Sequence, residues 1–378
     1  MSGVWKSEHE NDGKRIYGGR DVSGYGRNPP QPHWPRNAKL ALNFVINYEE
    51  GGESCTLHGD GQSEHLLSDI PGAVPEEGGR NMNMESMYEY GSRCGFWRLH
   101  RLFTSKKVPV TVFGVGMALQ RNIEAVGAMK EAEWEVASHG YRWLDYSKGI
   151  DTETEREHIE RTIEIHENLL GKRPVGIYQG KPNENTRRLV VEEGGFLYDS
   201  DSYSDDLPYW NMEYASGRPH LVIPYTLTEN DMRFVSTSGG YSDAADFSRH
   251  LKETLRFLVE EGRAGSPKMM SVGLHCRLAR PARVAALAEF VEYAKSYGRE
   301  VWICTREEIA NHWYEKHLPR GVGNPIQSQS TASTKSTYER FSFLNLTTPR
   351  DGPSGGSGNG SGGISRAMMA SDDDGDII

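Results

Sequence analysis

Eight short apolar or β-branched runs, spaced along the chain and mostly separated by longer amphipathic stretches, constrain the fold more than any other feature. They lie at Leu40–Tyr48, Val108–Gly114, Trp134–Ser138, Val175–Tyr178, Phe196–Asp201, Leu221–Tyr225, Met269–His275 and Val301–Cys304. Runs of this kind read as strands. The stretch DTETEREHIERTIEIHENLLG reads as a helix: it opens on the capping residue Asp151, repeats apolar residues at Ile159, Ile163 and Leu170, and stops at Gly171. Asp243–Glu261 and Arg280–Tyr297 have the same character. Seven or eight β/α repeats with short links, and no internal sequence repeat, fit a parallel barrel or a doubly wound sheet. In both architectures functional groups collect at the carboxyl ends of strands. Unusual polar residues stand there: Tyr48-Glu49-Glu50-Gly51, Ser138-His139-Gly140, Asp199-Ser200-Asp201 and Gly273-Leu274-His275.

The 378 residues suit one large domain or two ordinary ones. A net charge of −10, without long basic runs, argues against nucleic acid and against anionic membranes as partners. No stretch approaches the ~18 apolar residues of a membrane span. The first residues, MSGVWKSEHENDGKR, contain no apolar core of a secretory signal. Cys55, Cys94, Cys276 and Cys304 are scattered, so reduced thiols in a cytoplasmic enzyme are expected rather than a disulfide framework or structural zinc. Residues 1–37, rich in Gly, Pro, Asn and Arg, read as an irregular arm and 38–318 as the catalytic body. Residues 319–378 read as a low-complexity, disordered tail, with Gly at seven of the twelve positions 352–363. An appendage without catalytic duty is favoured there over a partner-binding segment.

Adjacent carboxylates at a strand end point to opposite faces, so one of Glu49 and Glu50 can enter a cavity while the other turns aside. They read as a general base with a metal ligand or orienter, or else as a solvated turn. His139 and His275, the latter with Arg277 close by, read singly as packed side chains. Together with the carboxylate pair they read as catalytic. Amide hydrolysis needs such a set: a base for water, an acid for the leaving nitrogen, and polar groups for the oxyanion. Asp199 and Asp201 read as substrate-positioning or cation-binding groups, or as a cap for the next segment. Trp143, Tyr203, Tyr209 and Trp210 read as walls for a sugar or as core filling.

The order YEEG, SHGYRW, KRPVGIY, YDSD, GLH resembles the polysaccharide deacetylase superfamily, the NodB-homology type of carbohydrate esterases, over roughly residues 20–315. The resemblance implies an α/β fold, a distorted (β/α) barrel of about seven parallel strands. The strings RDVSGYGRNPPQPHWP, INYEEGGE, EYGSRCGFWRL, ASHGYRWLDY, NTRRLVVEEGGFLYDSD and DDLPYW are similar to the branch of metal-independent allantoinases and chitin-deacetylase-like proteins. Carried over, Glu49 takes the base position and Glu50 a metal-ligand position. His139 is the first metal-binding imidazole of the second motif, and His275 is the general acid. Arg173, Pro174 and Tyr178 match the third motif. Trp143 stands where the second metal-binding His is usual, and indole cannot ligate a metal. The resemblance therefore favours no tightly bound cofactor, with a divalent ion of zinc or cobalt type on Glu50 and His139 as the alternative. Without metal, His139, backbone N–H groups or Arg142 would hold the oxyanion.

Trp143, Arg173, Tyr178, Lys181, Asp201 and Trp210 complete the expected substrate surface. Ile177-Tyr178-Gln179-Gly180-Lys181 departs from the Trp-Tyr-Thr-Gly-Arg-like string of the allantoinases, and loss of a bidentate Arg changes recognition of a planar ureide. The resemblance thus places hydrolysis of a non-peptide C–N bond first. Within it, N-deacetylation of chitin-type oligosaccharides precedes opening of a cyclic ureide, and a catalytically inactive sugar-binding relative comes third. The implied partners are a small-molecule or oligosaccharide substrate and further copies of the chain in a homo-oligomer.

Overall fold

The computed structural model describes residues 20–213, 219–236, 239–320 and 322, and the backbone of 9–11 and 14–17. Ahead of the body, β1 (His9–Asn11), β2 (Lys14–Tyr17) and β3 (Arg20–Asp21) form a small antiparallel sheet. The arm is therefore not irregular throughout, as its Gly/Pro content had suggested. Further on, the Trp34 indole is buried and donates to Lys268 O at 2.9 Å. Apart from Pro319, Arg320 and Val322, the expected tail lies outside the described residues.

The body is built around β4 (Leu40–Tyr48), buried along its whole length. Its period of two separates two environments. Leu40, Leu42, Phe44, Ile46 and Tyr48 enter the main hydrophobic core, packed with residues of the flanking helices. Asn43, Val45 and Asn47 take the opposite parity and line the barrel interior. There Asn43 Nδ2 donates to Met270 O at 3.1 Å, and Asn47 Nδ2 donates to Leu274 O and Tyr225 Oη, each at 3.1 Å. Glu49 continues this inward parity one step beyond the strand.

Along the sheet follow β5 (Thr111–Gly114), β6 (Glu135–Ser138), β7 (Gly176–Ile177), β8 (Tyr198–Asp199), β9 (Tyr209–Asn211), β10 (His220–Val222), β11 (Lys268–His275) and β12 (Val301–Ile303). Their order is β11-β4-β5-β6-β7-β8-β10-β9, with β12 also paired to β4. Every pairing is parallel except that of β9 with β10. Between β10 and β11 local contacts close the ring, among them an Asn230–Gly273 bridge and Gly273 N donating to Glu229 O at 2.9 Å. The fold is thus α/β, a curled sheet forming a distorted barrel. Each of the eight apolar runs overlaps a strand.

The helices are α1 (Met82–Tyr90), α2 (Phe96–Lys106), α3 (Gly116–Arg121), α4 (Ile123–Glu131), α5 (Thr152–Leu170), α6 (Thr186–Glu193), α7 (Ala244–Arg263), α8 (Pro281–Ser296) and α9 (Arg306–Lys316). As its sequence requires, α5 is capped by the Asp151 side chain accepting from Thr154 N at 2.9 Å, and stopped by Gly171 at φ 76°. Between α1 and α2 the turns widen into a π segment, Gly91–Gly95. A Cβ at Gly91 would collide with the Glu50 carboxylate, and one at Gly95 with Cys276 O. The two glycines therefore let this helix lie against the end of the site. Among the described residues no helix is long and apolar enough to cross a membrane.

Candidate active site

Glu49, carried inward at the end of β4, is the hub. Its Oε1 lies 3.2 Å from His139 Nε2 and 3.8 Å from His275 Nε2, and its Oε2 accepts from Arg277 Nη1 at 2.6 Å. These four side chains come from the ends of three strands, β4, β6 and β11, and all are buried. Burial alone would raise the carboxyl of Glu49. Arg277, His275 and the hydrogen bond with His139 outweigh it and hold the group well below the usual carboxylate range. Glu49 is therefore an anion with one oxygen directed between two imidazoles.

Each imidazole is fixed from behind. His139 Nδ1 lies 2.6 Å from Tyr178 O, a group that only accepts, so Nδ1 carries a proton. The ring also stacks on Tyr178, with centroids 5.2 Å apart. His275 Nδ1 lies 2.7 Å from Asp231 Oδ1, while the other oxygen of Asp231 accepts the His275 backbone N–H at 2.9 Å. Asp231 thus sets both the ring orientation and the tautomer, leaving Nε2 to face Glu49.

Glu50 turns away, as strand parity demands. Its carboxylate accepts from Arg277 N and Glu49 N, each at 3.1 Å, and lies against Gly91. Burial raises its pKa to about 7, with Arg277 opposing and Glu49 adding to the rise. Arg277 donates from Nε to Leu67 O at 2.7 Å, and its guanidinium lies 4.3 Å from the Tyr88 ring and 5.1 Å from the Trp143 ring. Lys181 Nζ sits 3.7 Å from the Trp143 ring centroid. Burial lowers the pKa of Lys181, with Glu64 and Glu49 opposing the drop.

Several expected site residues are engaged elsewhere. Arg142 is tied to Asp60, Gly52 O and Glu53 O, so it braces the loop after β4 instead of offering an oxyanion donor. Arg173 precedes β7, hence lies at the opposite end of the strand from the site, and pairs with Glu193 at 2.8 Å. Trp210 donates to His317 O at 2.7 Å and meets Tyr314 edge-on, so it is not a substrate wall of this site. Asp201 accepts from Gln179 N and Gly180 N, each at 2.7 Å, which fixes the loop after β7. Asp199 pairs with Arg187 and His220, each at 2.9 Å. Tyr178 supports His139 with its face and meets Tyr203 through its hydroxyl at 2.7 Å. Asp231 and Tyr88 were missed in the sequence. Asp231 lies in the segment between β10 and α7 and Tyr88 at the end of a helix, and neither has a local signature. For Arg277 the signal was its place two residues past His275.

The ion that the resemblance would allow does not suit this donor set. No ion pair joins Glu50 to His139, and no group of three or more His, Cys, Asp or Glu among the described residues is arranged to hold a metal. Position 143, which would supply another ligand, offers an indole face to Lys181, with the Arg277 guanidinium nearby. The buried guanidinium and the half-buried ammonium beside it repel a divalent ion and supply positive charge themselves.

The family described as polysaccharide deacetylase matches residues 81–194. A Schizosaccharomyces pombe protein assigned to the polysaccharide deacetylases is 40% identical over 321 residues, 80% of this chain and 99% of that one. A solved Pseudomonas aeruginosa PAO1 protein described as a probable polysaccharide deacetylase is 56% identical, with a TM-score of 0.76, over 79% of this chain and 98% of the other. The solved PuuE allantoinase is 54% identical, with a TM-score of 0.77, over the same shares.

Proposed function

This chain belongs to the polysaccharide deacetylase family, whose members hydrolyse C–N bonds other than peptide bonds, and on that premise we propose that it cleaves a small amide of the cyclic-ureide class without a divalent metal. The observation that carries this reading is closure around the reactive groups: Glu49, His139, His275 and Arg277 are 1, 1, 4 and 0% exposed. A sugar polymer must cross an open groove to present one acetamide among many rings. A small planar ureide can be enclosed whole. The 54% identity to an allantoinase, over nearly its full length, supports the same reading.

In the proposed reaction Glu49 Oε1 takes a proton from water, and the resulting oxygen nucleophile adds to the carbonyl carbon. The carbonyl π pair moves onto its oxygen. As the tetrahedral adduct collapses, the C–N bond breaks and its electron pair stays on nitrogen, which takes from His275 Nε2 the proton that Glu49 Oε1 gained from water and passed to that imidazole, 3.8 Å away. Asp231 holds His275 throughout, and His139 holds the Glu49 oxygen in line. N-deacetylation of chitin-type oligosaccharides, first on the sequence, stands second. It is favoured by Lys181 in place of the ureide-binding Arg and by the 56% identical neighbour described as a probable polysaccharide deacetylase.

Parallel turnover on allantoin and on chito-oligosaccharides, with products identified by mass, separates the two. Ring-opened product, formed equally with and without chelator, is expected. Free acetate from the oligosaccharide, with allantoin untouched, would reverse the order.

A further inference from the structure

The guanidinium of Arg277 has five N–H bonds to place, and one of its nitrogens has nowhere to put them. Nε donates to Leu67 O at 2.7 Å and Nη1 to Glu49 Oε2 at 2.6 Å, while Nη2 has no partner among the described residues. The Tyr88 hydroxyl, on the ring that stacks 4.3 Å from this guanidinium, is also buried without a partner among the described residues. The side chains are 0 and 1% exposed. A buried N–H or O–H left unpaired is costly, more so on a charged group, so two of them on stacked side chains ask for a ligand. Both belong to the cluster of Glu49, Glu64, Trp143 and Lys181.

We propose that Arg277 Nη2 and Tyr88 Oη form the donor pair that receives the substrate's scissile carbonyl oxygen and holds it as it becomes an oxyanion. The planarity of guanidinium makes the placement specific. Nη1 and Nη2 share one carbon, so a carbonyl bound at Nη2 lies immediately beside the carboxylate held by Nη1. One side chain then orients the base and accepts the charge that the base creates, the electrostatic task a divalent ion would otherwise perform. Tyr88 stays a neutral donor, because burial pushes its phenol well above the usual range. The inference rests on the hydrolytic reading above and assigns its oxyanion site to residues other than Arg142.

The test is calorimetric titration of the full chain with two carbonyl probes, hydantoin (a cyclic ureide) and N-acetylglucosamine (an acetamide). Wild type, Tyr88→Phe and Arg277→Lys are compared. The expected result is binding weakened tenfold or more in both variants, with the Tm of Tyr88→Phe unchanged or raised because only an orphan hydroxyl is lost. Unchanged binding in either variant overturns the pair, as does a wild type that binds neither probe. Binding of the acetamide alone, with the same losses, keeps the donor pair and removes the ureide reading instead.

Discussion

Glu49 answers two opposed demands. Burial favours its neutral acid, while Arg277 on one oxygen and two imidazoles near the other favour the anion, and the anion prevails. A carboxylate held ionised is ready to accept a proton at any neutral pH. Glu49→Gln keeps the shape and removes that capacity, so kcat/KM should fall by about 10²–10⁴, measured alongside circular dichroism to show that the fold persists. Asp231→Asn tests the rear support of His275: its amide can donate where Nδ1–H must be accepted, and the altered tautomer should lower kcat by on the order of 10²-fold with little change in KM. Glu49, His139 and His275 were legible because strand ends of such folds face the site. Asp231 and Tyr88 were not, since only tertiary closure brings a loop and a helix end to that place. Arg173 and Trp210 show the converse limit: a matching residue type says nothing about which end of a strand, or which side of a sheet, carries it.

Elements were legible in proportion to their burial. The nine-residue run of β4 is buried throughout and admits no other reading, whereas β9 is three residues long and half-buried, with no apolar contrast to betray it. The π segment between α1 and α2 left its trace as two glycines four residues apart, whose purpose shows only where Glu50 and Cys276 O press against them. Gly95→Ala sets a methyl against a backbone carbonyl that cannot rotate away. It should cost about 3 kcal/mol in denaturant unfolding and lower turnover as well, because the displaced helix carries Tyr88 and borders Glu50.

For the whole molecule, two buried groups tilt stability with pH in opposite senses. Glu50 titrates near 7 in the folded chain against 4.5 ordinarily. Its contribution is therefore present below pH 4.5 and lost as pH rises through 7, a swing of up to ~3 kcal/mol. His166, buried with neither nitrogen bonded among the described residues, titrates near 3 against 6.5. Its contribution is present above pH 6.5 and lost as pH falls toward 3. Urea unfolding from pH 5 to 8 should therefore show Glu50→Gln gaining relative to wild type as pH rises, and His166→Phe gaining as pH falls. Neither effect was visible in a net charge of −10, because it depends on where two side chains end up and not on how many charges there are. In the proposed reaction Glu49, assisted by Arg277 and two imidazoles, hydrolyses a C–N bond unaided by a divalent ion. Its most direct test is turnover of allantoin by protein freed of metal with chelator and checked by elemental analysis. Full wild-type rate, reduced about 10³-fold in Glu49→Gln, is the predicted result. A rate abolished by chelation and restored by zinc would contradict it.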